Sequence, residues 1–324
     1  MGRSNQADKQ AMLTKHITDF LQSKKLVIAT SGGVDSMVLV DLLLKNQNIN
    51  KDNLIIAHFD HKIRSESKND ADFVKTYCQK NKLKFELGNA DIKEIAKTNK
   101  ANLEATARKY RYQFLEELRQ KSDSDLILTA HHQDDNLETV IMNWQRGAGL
   151  FGLSGILALN QKTKIYRPLL YLKKSDLIDH AEKQKIQHII DESNYDLNFR
   201  RNQIRHQIMP ELESWKLDYK ETILELIELA KTCQIDIINT FLEISIRLED
   251  NQLKLNKREL SNLPGHKLNN LLIFIIRNFQ SQTNKQQLLL LKKNIKNLAG
   301  NKLCLIGKLA FLTKGKSILL NTKL

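Results

Sequence analysis

The stretch Leu26-Val27-Ile28-Ala29-Thr30-Ser31-Gly32-Gly33-Val34-Asp35-Ser36 decides how this chain is read. An apolar run ends in two glycines flanked by Ser31, Asp35 and Ser36. A second apolar run, Met37-Val38-Leu39-Val40-Asp41-Leu42-Leu43-Leu44, follows at once. The pattern predicts a buried strand, a tight glycine turn and then a helix. The amides of such a turn and the helix N-terminus behind it can face one anion. Gly32 and Gly33 permit positive φ and close approach of the backbone to a ligand, and Ser31 and Ser36 add hydroxyl donors. Asp35 is out of place in a phosphate cradle unless a cation lies between, which points to a Mg²⁺-nucleotide rather than bare phosphate. The plainer alternative is an ordinary strand–helix turn with a capping Ser or Asp. No G-x-x-x-x-G-K-[ST] run occurs in the chain, so the loop is not of the Walker A type.

Strand-like and helix-like segments alternate around this turn. Residues 7–23 predict a helix, with Leu13, Ile17, Phe20 and Leu21 on one face. Residues 53–59 predict a buried strand ending in His58-Phe59-Asp60-His61. A helix over 66–81, with Phe73, Val74 and Tyr77 inward, and a strand over 84–89 follow. Asn102 caps a helix over 102–120, residues 125–130 form another strand, and 134–146 the helix after it. Such alternation over some 130 residues implies an α/β fold with a parallel sheet. Ligands of such sheets bind beyond the carboxyl ends of the strands, so the polar strand ends 30–36, 58–61 and 130–135 should converge on one crevice.

Residues 147–155 contain G-x-G-x-x-G by the letter. The run follows a helix rather than a strand, which excludes a dinucleotide fingerprint, and it reads as a flexible loop beside the crevice. A helix over about 174–185 leads to Asp191-Glu192-Ser193-Asn194 and then to Phe199-Arg200-Arg201-Asn202-Gln203-Ile204-Arg205-His206. Three arginines in six residues suit phosphate contacts; a solvated helix face is the alternative. Pro210 and the polar stretch 211–220 suggest a boundary between a catalytic domain over 1–213 and a smaller, mostly helical domain over 214–324. The second should hold helices over 221–247, 265–280 and 284–298, then short strands over 303–320 separated by Gly307 and Gly315.

With 324 residues, 41% of them hydrophobic, one large or two ordinary domains are expected. No apolar run has the length of a membrane span. The polar start, Met1-Gly2-Arg3-Ser4-Asn5-Gln6, has no hydrophobic leader, so a cytoplasmic protein is expected. Cys78, Cys233 and Cys304 lie far apart without a C-x-x-C, which argues for reduced thiols and against zinc or iron–sulfur ligation. The net charge of +14 invites a polyanionic partner, nucleic acid first. Richness in Lys, Asn and Ile would also follow from an AT-rich genome.

Two further constellations carry chemistry. In Ala130-His131-His132-Gln133-Asp134-Asp135-Asn136-Leu137-Glu138, the acids Asp135 and Glu138 share one helix face. They could bind a cation, hold an amine or act as bases. A metal site with His131 is the rival, as is plain stabilisation of a helix N-terminus. In Glu104-Ala105-Thr106-Ala107-Arg108-Lys109-Tyr110-Arg111, Arg108 and Arg111 share a face suited to phosphate or carboxylate, or to pairing with Glu104 or Glu116.

Taken together, S-G-G-V-D-S, H-F-D-H-K-I-R, E-A-T-A-R-K-Y-R-Y, T-A-H-H-Q-D-D-N-L-E-T, R-G-A-G-L-F-G-L-S-G-I, R-P-L-L and D-E-S-N…R-N-x-I-R resemble the tRNA(Ile)-lysidine synthetases, a family of N-type ATP pyrophosphatases. The resemblance spans about residues 25–210, and the tail from Gly265 looks like that family's first C-terminal domain. On this resemblance the chain is expected to be too short for the further C-terminal domain of longer members. The resemblance implies a C–N ligase of the adenine nucleotide alpha hydrolase-like fold. ATP adenylates O2 of cytidine 34 in the CAU anticodon of isoleucine tRNA, releasing pyrophosphate. Free lysine then displaces AMP at C2 to give lysidine. It implies that Ser31, Gly32, Gly33, Val34, Asp35, Ser36, His58, Arg111 and His131 bind ATP. Asp35, Arg111 and His131 would be catalytic, with Mg²⁺ held in part by Asp35. Asp135 and Glu138 would hold lysine, and Arg200, Arg201 and Arg205 would contact tRNA. A homodimer is left open. A tRNA thiolase of the same superfamily is disfavoured by the scattered cysteines. A non-catalytic RNA-binding protein or a small-molecule adenylating ligase are the rivals of other classes.

Overall fold

The computed structural model describes residues 20–63, 67–190, 196–197, 199–215, 218–244, 246–249, 252–278, 285–296, 302–306, 309–314 and 316–322. Most of the helix expected over 7–23, the segment 191–194, Arg64, Gly307 and Gly315 lie outside them. The chain divides into two compact units, Met1–Glu225 and Leu226–Leu324. The division falls inside the helix Tyr219–Glu243 rather than at residue 213. Tyr219, Ile223 and Leu224 pack with Leu137, Ile141, Ile204 and Met209 in a small core, which keeps the first turns of that helix with the first unit.

In the first unit the sheet consists of β1 (Leu26–Ala29), β2 (Leu54–Asp60), β3 (Lys84–Asn89), β4 (Leu126–Leu128), β5 (Leu159–Asn160) and β6 (Ile165–Tyr166), in the order β3-β2-β1-β4-β6-β5. All neighbours pair in parallel except β5 with β6. Residues of the central strands alternate between two cores, as strand periodicity requires. Leu26, Ile28, Leu54, Ile56, Leu126 and Leu128 face one layer, with Val38, Leu39, Leu43, Val74, Cys78 and Leu177. Val27, Ile55, Ala57 and Ile127 face the other, with Leu115 and Leu118. Helices α1 (Val34–Lys45), α2 (Ser67–Asn81), α3 (Ile92–Thr98) and α4 (Leu103–Lys121) follow the first three strands. After β4 come α5 (Gln133–Gln145), α6 (Gly149–Leu153) and, beyond β6, α7 (Lys174–Lys183). Because β1 lies between β2 and β4, the chain leaves β1 to one side and returns on the other. The carboxyl ends of β1 and β4 therefore open a crevice at a topological switch point.

Two local expectations change. The stretch 147–155 is not a flexible loop: it winds into α6, and Asn143 Nδ2 donates to the Gly152 carbonyl at 2.9 Å. The amide of Ile156 donates to Asn136 Oδ1 at 2.7 Å, fixing the exit. Pro210 does not end a segment either. Arg200–Gln203, a π-turn over Ile204–Ile208 and Met209–Ser214 form one continuous helical run, which passes through Pro210 with the wider π-turn directly ahead of it.

The second unit holds the remainder of α8 (Tyr219–Glu243), α9 (Lys257–Asn262), α10 (Gly265–Asn278) and α11 (Lys285–Lys296). It also contains a five-stranded antiparallel sheet. The hairpin Ile246–Glu249 and Gln252–Asn256 joins the three terminal strands Lys302–Ile306, Leu309–Lys314 and Ser317–Thr322. The unit thus carries more sheet than its helical stripes suggest. Leu271, Ile275, Leu291, Ile306 and Phe311 form its core.

Candidate active site

The loop after β1 shows two glycines doing different things. Gly32 has φ +91°, and a Cβ there would lie 2.5 Å from Ile189 Cδ1, so only glycine fits. Its carbonyl accepts the Ile189 amide at 2.9 Å. Gly33 has φ −71°, and a Cβ there would meet nothing closer than Ser31 Oγ at 3.5 Å. Neither strain nor packing requires glycine at that position, which leaves room for a ligand as its reason. The Gly32 amide donates to Ser36 Oγ at 3.2 Å and the Gly33 amide to Ser31 Oγ at 3.3 Å. The helix α1 starts immediately afterwards, with its N-terminal dipole aimed at the same place.

A cavity of about 870 Å³ lies over this loop. The three strand ends meet there. Ser31, Asp35 and Ser36 come from the first, His58 and His61 from the second, and His131 and Asp135 from the third, with Arg108 and Arg111 from α4 and Arg201 opposite. His58 is buried and its Nδ1 lies 2.9 Å from the Thr30 carbonyl. A carbonyl only accepts, so this nitrogen carries the proton and Nε2 is left as an acceptor. Burial lowers the pKa of His58. Burial, with Arg111 and His58 adding to it, takes His61 down to about 4. Burial takes His131 to about 3, Asp135 opposing and Arg167, Arg201 and Arg111 adding. Three neutral imidazoles therefore line the crevice at pH 7. Positive charge comes from arginine instead. Arg108 and Arg111 lie over the Tyr112 ring, 4.8 and 5.3 Å from its centroid, and among the described residues no carboxylate is within ion-pair distance of either. Such guanidiniums are open to an anionic ligand.

Beside the loop lies a dense charge cluster. Lys174, at the start of α7, donates from Nζ to Asp35 Oδ1 at 2.5 Å and from its amide to Asp134 Oδ2 at 2.7 Å. His132, 2% exposed, sits among three acids. Its Nε2 is 3.4 Å from Asp135 and 3.6 Å from Asp35, and its Nδ1 is 3.6 Å from Asp134. These are charge contacts rather than hydrogen bonds, and Nδ1 has no hydrogen-bond partner. Burial opposes its charge, but Asp134, Asp135 and Asp35 outweigh it and raise the His132 pKa. Burial is likewise overcome at Asp134, which His132 and the Lys174 amide hold down at about 2.

The acids and arginines singled out for different partners meet one another. Glu138 is fully buried. Arg201 Nε donates to its Oε2 at 2.6 Å, and Arg205 Nε to its Oε1 at 2.7 Å. Arg201 also reaches Asp135 Oδ1 at 3.2 Å. Glu138 does not line the cavity, whereas Asp135 does. Arg201 and Arg205 are thus committed to carboxylates, and of the three arginines only Arg200 faces outward, resting on Gln145 Oε1 at 2.9 Å. Asp35, Asp134, Asp135 and Glu138 face Lys174, Arg201, Arg205 and His132, whose pKa the neighbouring acids raise. His132 and Lys174 were not singled out from the sequence. His132 stands beside the more obvious His131, and Lys174 has no local signal because its partner is 139 residues away.

The PP-loop domain profile matches residues 5–212. A tRNA(Ile)-lysidine synthase of Thermosipho africanus is 35% identical over 207 residues, 64% of this chain and 48% of that protein. One from Petrotoga mobilis is 31% identical over 251 residues, 76% of this chain and 80% of that protein. The chain belongs to the PP-loop family and, within it, to the tRNA(Ile)-lysidine synthases. It spans about half the length of the first of these relatives. Among solved structures, the U34-tRNA thiolase NcsA of Methanococcus maripaludis with its [4Fe-4S] cluster superposes with TM-score 0.58. It is 19% identical and covers 71% of this chain and 81% of that one, a likeness of fold.

Proposed function

We propose that this chain ligates lysine to C2 of cytidine 34 in isoleucine tRNA with a CAU anticodon, using ATP. The observation that carries this reading is Asp135. It lines the nucleotide crevice and also belongs to the acid–guanidinium cluster, so an amine receptor and an adenylation site share one wall. Family membership supports the substrate assignment.

In the first step O2 of the cytidine attacks the α-phosphorus of ATP and pyrophosphate leaves. The amides of the glycine loop and the N-terminus of α1 hold the phosphates, and Arg111, with no acid partner among the described residues, offsets their charge. His58 and His131, both neutral, orient the nucleotide by hydrogen bonding. In the second step the lysine Nε attacks C2 and the C2–O2 bond breaks, so O2 departs with AMP. Asp135 holds the incoming ammonium in competition with Arg201. Burial acts against it, but His132 and Arg201 lower the Asp135 pKa, so it is a receptor rather than a base. The ammonium gives one proton to water before its lone pair attacks, and the phosphate of the departing AMP takes the second once the C–N bond has formed.

Mg²⁺ on the nucleotide would offset phosphate charge. Among the described residues no group of three or more His, Cys, Asp or Glu could hold such an ion by itself. Asp35 would supply an oxygen to it, beside the contact its Oδ1 makes with Lys174. Sulfur transfer finds less support. Cys78 is buried and its thiol is pushed up to about 12, so it carries no thiolate at neutral pH.

The test is incorporation of radiolabelled lysine into isoleucine tRNA bearing CAU, with and without ATP. ATP-dependent label is expected. Pyrophosphate release with tRNA but no label would keep the adenylation and replace the nucleophile.

A further inference from the structure

α5 begins at the charge cluster and ends, three turns later, at a surface of a different kind. Its last turn carries Trp144, 73% exposed, and its C-cap is Arg146, also exposed. Between them Gln145 accepts Arg200 through Nε and Nη2, at 3.2 and 2.9 Å. This holds a guanidinium beside the same turn, and among the described residues neither Arg146 nor Arg200 has a carboxylate within ion-pair distance. An indole this exposed leaves a large apolar face in water that a folded domain gains nothing by presenting. The support beneath it is firm: Asn143 is tied to Gly152 at 2.9 Å. Arg200 is followed by Arg201, and Phe199 and Arg201 both line the crevice, so the patch borders its mouth.

We propose that Trp144 is a stacking platform for an unpaired base next to the reacting nucleotide, with Arg146 and Arg200 holding the adjoining phosphates. The inference rests on the reading that the substrate is an anticodon. A base buried in the crevice must be splayed from its neighbours, and those neighbours lose stacking. A flat aromatic face restores it for any base, and two arginines without a carboxylate partner among the described residues supply the matching charge. This occupant fits better than an apolar protein surface, because Arg146 and Arg200 stand at the turn that carries the indole.

Trp144 and Trp215 are the chain's two tryptophans, so W215F makes the emission report on Trp144 alone. The probe is an anticodon stem–loop RNA with the CAU sequence, its binding followed in parallel by filter retention. Binding with quenched emission is expected, and added salt should reverse both together. In the full chain, W144A should weaken retention about tenfold or more, W144F should restore most of it, and all variants should melt alike. Retention without a change in emission, or W144A binding like the parent, would overturn the platform and leave the enzyme reading intact. Absence of RNA binding by either measure would overturn the reading and the platform with it.

Discussion

Arg201 Nε and Glu138 Oε2 lie 2.6 Å apart, with the carboxylate fully buried and a second guanidinium, that of Arg205, on its other oxygen. The pairing assigns Glu138 and the two arginines a shared task before any substrate arrives. They form a wall against which Asp135 is presented to the crevice. A buried ion pair adds little net stability over an apolar replacement, but removing one partner strands the other.

Glu138→Gln therefore acts first on stability. Two guanidiniums would face a neutral amide, and the expected loss is about 3 kcal/mol, read as a lower urea midpoint. An unchanged midpoint would mean that the arginines find solvent freely and that Glu138 is not their anchor.

Asp35 and Lys174 are both part-exposed, so their pair should contribute no more than about 1 kcal/mol. Lys174→Met is expected to leave the melting temperature nearly unchanged and to reduce tRNA-dependent pyrophosphate release at least tenfold. Lys174→Arg should keep much of it. Equal rates in the methionine variant and the parent would mean that the Lys174–Asp35 pair takes no part in the reaction.

The two loop glycines separate folding from binding. Gly32→Ala must accept a positive φ and a contact with Ile189, at a cost of about 1–3 kcal/mol. Gly33→Ala has room, so stability should change by less than about 0.5 kcal/mol, while the KM for ATP should rise severalfold. Denaturation and steady-state kinetics on both variants decide it.

Acid should weaken the fold through histidine. His131 titrates near 3 in the folded chain and His61 near 4, against 6.5 unfolded. A lowered histidine pKa means that the unfolded chain takes up the proton first. The stability that the neutral ring contributes is present above pH 6.5 and is lost as pH falls below it. Between pH 6.5 and 5, His131 alone should remove about 1–2 kcal/mol. His131→Gln should flatten the dependence of the urea midpoint on pH over that range. A parallel slope in the variant would assign the acid sensitivity elsewhere.

The sheet was legible because its strands obey two periods at once. Leu26, Val27 and Ile28 are all apolar, as a strand covered on both faces demands, and Asn102 announces its helix with the expected cap, accepting from the Ala105 amide at 3.0 Å. β5 and β6 were missed because two residues each carry no periodicity. α3 was missed because Lys93, Lys97 and Thr98 dilute its apolar face. The hairpin of the second unit was hidden by Lys254 and Asn256, polar residues on an alternating strand. At the site, residue types were readable but their pairing was not. Nothing local in Glu138 or Arg205, 67 residues apart, says that each is the other's partner. That knowledge comes only from the helical run that carries Arg201 and Arg205 past α5.

The bond between the Gly32 carbonyl and the Ile189 amide has a thermodynamic meaning for the nucleotide. A glycine pair left to itself would sample many shapes, and a ligand would have to select one at the expense of affinity. Here the selection is made during folding, by a segment that follows α7 and lies far from the loop in sequence. Ser31 and Ser36 occupy the two amides in the meantime, as stand-ins for phosphate oxygens. Arrival of ATP is then an exchange of acceptors on a loop already shaped, and little ordering is left for the nucleotide to drive.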